Sequence, residues 1–362
     1  MFLDAPNLKG VEKEYLCKAI DEGYVSSIGP FVNEFEKRFA SFLAAGPCVS
    51  CQSGTSALHM ALHELGVSKG DEVIVPVITF VGTVYPVSYV GAKPVFVDID
   101  EKTWNMIPEL VASKITARTK AIIPVHLYGN PCDMDKLLDI GEKHGVPVIE
   151  DASESLGAEY KGKLTGTLGE FGCFSFNGNK LITTGNGGMI SGKDPNKIGH
   201  IRFLVNQARE EGAFYFHSEV GYNLRLSNIA ASLGLAQLER VGEFLALKRR
   251  FNDIYRAELS GVDGISFQEQ YKGARSSYWL SCISFGEGID VTGVIDELKR
   301  SNIPTRRVFT PLIEFPPYKE EDKSCYSNAY MIFDSGICLP GSTLNTEKDI
   351  MAVCHKLKEI VG

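Results

Sequence analysis

The densest run of reactive side chains is Ser175-Phe-Asn-Gly-Asn-Lys180, followed by Leu-Ile-Thr-Thr-Gly185-Asn-Gly-Gly188-Met189. An apolar strand there enters a polar, glycine-rich segment, so a lysine five residues beyond the strand-end serine can reach back over one pocket. Such a lysine is either a solvated surface residue or an amine placed for chemistry. Its partners elsewhere decide.

Val148-Ile-Glu-Asp151-Ala-Ser-Glu154 ends an apolar strand with a carboxylate, and open α/β sheets bind ligands at the carboxyl ends of their strands. Asp151 can cap a helix, or it can lie beside a pyridine nitrogen and keep it protonated, so that the ring withdraws electrons. Cys51-Gln-Ser-Gly54-Thr55 follows a strand and opens a helix, whose free N–H groups bind a phosphate without any basic residue. Gly54 and Thr55 are the phosphate-side candidates, and the Ser175 hydroxyl joins them. Thr79-Phe80 brings an aromatic face to the same sheet edge, where Phe80 can stack on a pyridine ring or fill the core. Gly221-Tyr-Asn223-Leu-Arg225-Leu-Ser-Asn228 sets an amide and a guanidinium ahead of a helix, suited to anion contacts across a subunit boundary. Each piece alone has a bland reading, but the set recurs at successive strand ends, and the ligand we expect it to hold is pyridoxal 5'-phosphate (PLP).

Apolar runs rich in β-branched residues supply the strands: 72–77, 94–97, 121–125 and 146–150, with 171–176 and 188–191 closing the large domain. Helical patterns over 55–65, 82–89, 107–115 and 132–144 alternate with them, which predicts a mainly parallel sheet covered on both faces. From about Ile229 the pattern changes to a long helical run through 259, a strand over 278–285, a helix over 291–300 and a last helix from Thr346. That reads as a smaller α+β domain.

Lys plus Arg number 37 against 45 Asp plus Glu, a net charge of −8, so no basic field attracts nucleic acid or an anionic membrane. The sequence has no long apolar stretch and no signal-peptide pattern at Met1-Phe-Leu-Asp-Ala-Pro, and its cysteine count of 9 is odd, so we expect a cytoplasmic protein with reduced thiols. Cys48-Val-Ser-Cys51 falls on an extended segment, where residues three apart face opposite ways, so neither a dithiol nor half a zinc site is expected. Gly157-Ala-Glu-Tyr-Lys-Gly162-Lys163-Leu164 has leucine where a P-loop needs a magnesium-binding hydroxyl, and it reads as a hairpin. No G-x-G-x-x-G follows the first strand, which argues against a dinucleotide-binding dehydrogenase.

The sequence resembles the DegT/DnrJ/EryC1/StrS family of sugar aminotransferases over nearly its whole length. The resemblance is carried by Ser53-Gly-Thr55, Thr79-Phe80, His126-Leu-Tyr-Gly129, Glu150-Asp151-Ala152, Ser175-Phe-Asn-Gly-Asn-Lys180, Gly221-Tyr-Asn-Leu-Arg225 and Cys338-Leu-Pro340. It implies an α/β, aspartate aminotransferase-like fold type I PLP transferase. A large domain over 1–228 would hold a mainly parallel seven-stranded sheet, and a smaller C-terminal α+β domain would cover 229–362. It further implies a homodimer with two shared active sites and Lys180 as the Schiff-base lysine. Asp151 would meet the pyridine nitrogen, Phe80 the ring, Glu154 the ring hydroxyl, and Gly54, Thr55 and Ser175 the phosphate, with Asn223 entering from the neighbouring subunit.

Asn-Gly-Asn-Lys180, Gln207-Ala-Arg-Glu210 and Gly336-Ile-Cys-Leu-Pro340 look like the branch that aminates C4 of nucleotide-linked 4-keto-6-deoxy sugars, with L-glutamate as donor, for surface polysaccharide. Tyr24 and Ser26 would contact the sugar, and Arg225 or Arg306 its diphosphate. Relatives often carry Arg-Pro and then a histidine where this chain has Arg306-Arg307 and Ile313, a departure that bears on substrate contacts. The alternatives are a C3 aminotransferase, a PLP-dependent dehydratase, or a non-catalytic sugar-nucleotide-binding protein of the same fold.

Overall fold

The computed structural model describes residues 1–362 apart from Ala213 and Glu321. The first two thirds of the chain run α1 (Glu12–Asp21), α2 (Pro30–Leu43), β1 (Cys48–Cys51), α3 (Gly54–Glu64), β2 (Glu72–Pro76), α4 (Val81–Tyr89), β3 (Lys93–Val97), α5 (Pro108–Lys114), β4 (Thr119–Ile122), α6 (Met134–His144) and β5 (Ile149–Asp151). A hairpin, β6 (Glu159–Tyr160) and β7 (Lys163–Leu164), precedes β8 (Phe171–Ser175), β9 (Gly188–Gly192) and α7 (Pro195–Val205). The hairpin turns at Lys161 and Gly162, both left-handed at φ 49° and 79°, so this segment is indeed no P-loop.

Two hydrogen-bonded sets, β3-β2-β4 and β1-β9-β8-β5, are joined by parallel bridges from Ile122 to Val148 and from Val125 to Asp151. The result is one seven-stranded sheet in the order β3-β2-β4-β5-β8-β9-β1, antiparallel only at β9. Both faces are buried, as the continuous apolar runs require: Val73 and Val75 of β2 enter the core that includes Leu58 and Met60 of α3, while Ile74 enters the core of Met134 and Leu137 of α6. The parallel strands all point one way, so Cys51, Pro76, Asp151 and Ser175 share one edge of the sheet.

After α8 (Asn228–Glu239) and α9 (Val241–Leu259), a second sheet is built from β10 (Ile265–Phe267), β12 (Cys282–Phe285), β14 (Gly336–Cys338) and β13 (Arg306–Arg307) in that antiparallel order; β11 (Ala274–Arg275) pairs instead with β6. α10 (Val291–Arg300), α11 (Ser327–Ser335) and α12 (Glu347–Val361) complete the chain, with α12 starting from a capping box at Thr346 and Asp349.

Two expectations change. The single helix over 229–259 is two, broken at Arg240; Ala231 and Leu235 of α8 and Val241, Phe244 and Leu245 at the start of α9 share a core with Phe35, Phe174 and Phe176, and only farther along α9 do Phe251 and Tyr255 pack with Ile283 and Leu357. The strand over 278–285 begins only at Cys282, since Tyr278 is left-handed at φ 49° and the indole of Trp279 turns to donate to the Asn179 carbonyl at 2.7 Å.

Candidate active site

A cavity of about 400 Å³ opens at the carboxyl edge of the large sheet, and its walls bring together Gly54, Thr55, Phe80, Asp151, Glu154, Ser175, Lys180 and Arg306. The sequence had put these residues on five separate segments.

β1 delivers Ser53, whose side chain caps α3 by accepting from the Ser56 N–H at 3.0 Å. Gly54 is required for close approach, because a Cβ there would fall 2.9 Å from the Ser175 Cβ and 3.0 Å from the Ser153 Oγ. The helix start therefore lies directly against the end of β8 and the loop after β5.

β5 delivers Asp151, which is buried. Its Oδ2 accepts from the Thr83 hydroxyl at 2.7 Å and its Oδ1 from the Ser153 N–H at 3.1 Å. Thr83 is itself hydrogen-bonded to Thr79 at 2.8 Å, so the first turn of α4 sets the carboxylate's orientation. The neighbouring Glu150 points to the other face, as strand alternation demands. There it accepts from the N–H groups of Gly166, Leu168 and Gly169 at 2.7–2.8 Å and from His126 at 3.0 Å. The ring's Nδ1 accepts from the Cys132 N–H, which leaves the proton on Nε2 for Glu150.

Lys180 lies on the loop after β8, mostly enclosed, with its Nζ 3.5 Å from the Glu154 Oε1 and 3.8 Å from the centroid of the Trp279 ring. Burial raises the Glu154 carboxyl above its ordinary range, against the opposing pull of Lys180 and of the Tyr128 N–H that it accepts at 2.8 Å. Phe80 is exposed and faces Phe309 at 6.0 Å. Arg306 lies 5.8 Å from Trp279 and 6.0 Å from Phe309, and among the described residues its Nε and Nη2 have no hydrogen-bond partner.

Four expected site residues lie apart from this cavity. The Asn223 carbonyl accepts from the Gln52 amide at 3.0 Å, and Arg225 makes only long contacts, 3.4 Å each, to the Ser27 carbonyl and Asn33. The backbone carbonyls of Tyr24 and Ser26 are engaged by Asn228 at 2.9 and 2.6 Å, and the Tyr24 side chain is exposed. Conversely, Thr83, Ser153, Trp279 and Phe309 line the cavity without having been singled out. Thr83 had a signal, a hydroxyl four residues after Thr79 at a helix start. Trp279 had none, because its place depends on a left-handed neighbour. Ile313 is fully buried.

No group of metal-binding side chains exists among the described residues, and Cys48 and Cys51 lie in β1 with their thiols pushed up to about 12, first by burial. The donor set instead suits PLP: an enclosed amine, an oriented carboxylate, a helix start walled by hydroxyls and an aromatic face on one cavity.

Fold and site together define a PLP-type transferase, with a parallel-sheet edge carrying a lysine opposite a carboxylate. The DegT/DnrJ/EryC1/StrS aminotransferase family model matches residues 6–358, and the chain belongs to that family. It is 40% identical over 360 residues to a GDP-perosamine synthase of Caulobacter vibrioides, covering 99% of this chain and 97% of the relative. A putative pyridoxal phosphate-dependent aminotransferase of Bacillus subtilis is 40% identical, covering 96% of this chain and 92% of its own. Among solved structures, a putative sugar aminotransferase of Streptococcus pneumoniae in its PMP form superposes with a TM-score of 0.95 at 27% identity, covering 100% of this chain and 99% of that one.

Proposed function

We propose that this aminotransferase uses PLP to move the amino group of L-glutamate to C4 of a nucleotide-linked 4-keto-6-deoxy sugar, in the cytoplasm and as a homodimer. The observation that carries the reading is that Lys180 and Asp151 stand on one cavity with the helix start at Gly54 and Thr55. The likeness to GDP-perosamine synthases supports the sugar class.

PLP, when bound, supplies an electron sink for the carbanion left as a proton departs the amino-bearing carbon. Lys180 would hold the cofactor through its Nζ at rest and, once freed, would serve as the base and acid that moves the proton. Asp151, oriented by Thr83 and the Ser153 N–H, would keep the ring nitrogen protonated. Gly54, Thr55 and Ser175 would hold the phosphate, with Phe80 offered to the ring and Glu154 to its hydroxyl. Arg306, with two guanidinium nitrogens unmet, offers cationic donors to an oxyanion of the substrate. Tyr24, Ser26, Asn223 and Arg225 would serve a site completed by a second copy.

The test is spectroscopic. Glutamate should bleach the visible absorbance of the PLP-loaded protein, and one of a panel of 4-keto-6-deoxy nucleotide sugars should restore it. Absorbance that ignores glutamate, or that no such sugar restores, would overturn the donor or the acceptor assignment respectively.

A further inference from the structure

The segment ahead of α1 is bound along the chain that follows β14. The Phe2 N–H donates to the Asn345 Oδ1 at 2.8 Å and the Asn345 amide returns a bond to the Phe2 carbonyl at 2.7 Å. The Gly341 N–H donates to the Leu3 carbonyl at 2.8 Å, and the Ser342 hydroxyl to the Ala5 carbonyl at 2.7 Å. Leu3 and Ala5 are thus held on either side of Asp4, and its carboxylate has little freedom to turn away.

Asp4 Oδ2 accepts from the Asn179 amide at 3.0 Å and lies 3.6 Å from the Arg306 Nη1. Asn179 immediately precedes Lys180, and it is gripped from the other side, where its carbonyl accepts from the Trp279 indole at 2.7 Å. Arg306 is the cavity cation whose Nε and Nη2 remain unmet. A third amine, the buried Lys248, donates to the Trp279 carbonyl at 2.7 Å, and Asp4 is the charge that favours its protonated form. One carboxylate therefore touches the loop that carries the catalytic amine and pairs with the cavity's free guanidinium.

We propose that Asp4 is a positioning residue of the active site: it fixes the Lys180 loop through Asn179 and orients Arg306 toward an oxyanion of the substrate, either the donor's carboxylate or the nucleotide's phosphate. This rests on the reading above for what Lys180 and Arg306 do. The two roles separate chemically. Asparagine at position 4 keeps an oxygen that accepts from Asn179 but carries no charge for Arg306, whereas alanine removes both.

The experiment uses the full chain loaded with PLP and follows the visible absorbance as hydroxylamine captures the cofactor, a rate that needs no substrate and reports how firmly the Lys180 loop closes over its bond. Asp4→Ala should speed capture at least about fivefold, since small misplacements at reacting groups have large kinetic effects. Asp4→Asn should stay within about twofold of the parent, because its acceptor oxygen survives. Asn179→Ala cuts the same bond from the far side and should speed capture as well, which keeps the test open if Asp4→Ala folds poorly. In the separate half-reactions, both Asp4 variants should raise KM for one substrate by about tenfold, a size typical of a lost charge-assisted contact. The substrate whose KM moves, glutamate or the sugar nucleotide, identifies the oxyanion. Capture unchanged in both alanine variants overturns the loop role, even if melting temperatures fall, and KM values unchanged for both substrates overturn the Arg306 role. A parent protein that takes up no PLP would instead sink the proposed function.

Discussion

Cations crowd the back of this site, and burial rather than pairing governs one of them. Lys248 on α9 donates to the Trp279 carbonyl directly behind the ring that Lys180 contacts, and burial pulls its ammonium down to about 7 from an ordinary 10.5. Between those values the unfolded chain keeps a proton that the folded chain has released, so this group makes the protein more stable as pH rises across that window. Its slope is at most about 1.4 kcal/mol per pH unit. Lys248→Met should lack this rise. Urea unfolding at pH 7, 8 and 9 checks it: the parent's stability relative to the variant should increase with pH, and parallel curves would contradict the shift.

Single elements divide their labour between scaffold and chemistry, and β5 does so by strand alternation. Asp151 faces the cavity while Glu150 faces inward to three N–H groups and His126. Glu150→Ala would strand those donors in a buried setting, at a cost of about 3 kcal/mol or more. Urea unfolding should register that loss together with weaker PLP uptake, because the 166–169 loop and the end of β5 lose their shared anchor; a loss under about 1 kcal/mol would contradict this role. The strands were legible in the sequence because a sheet buried on both faces demands continuous apolar runs, which β2 and β3 supply. Helix α2 escaped notice, although Phe31, Phe35 and Phe39 repeat at four-residue spacing and all three are buried. The break at Arg240 was not legible, since helical periodicity runs through it and the residues on both sides pack into one core. The same holds within the site. Lys180, Asp151 and the Gly54-Thr55 helix start announce themselves by type and strand-end position, whereas Asp4 and Trp279 matter through contacts with residues at least 100 positions away.

At the scale of the whole molecule, the proposed site needs more groups than one cavity gathers. Asn223, Arg225, Tyr24 and Ser26 lie outside it, and Phe214, Tyr215, Phe216 and Val220 are 56–85% exposed on one loop. An apolar face of that kind calls for cover, and a second copy that brought Asn223 to the neighbouring cavity would supply both. If the proposed dimer shares its sites, Lys180→Ala and Asn223→Ala proteins, each nearly inactive, should regain partial activity when dissociated and reassociated together, because each mixed dimer would contain one intact site. No recovery in mixed dimers would contradict shared sites. The claim on which all of this stands is that Lys180 is the amine that bonds the cofactor. Borohydride reduction of the PLP-loaded protein, followed by proteolysis and peptide mass analysis, should find the pyridoxyl group on Lys180; its appearance on any other lysine would contradict the account.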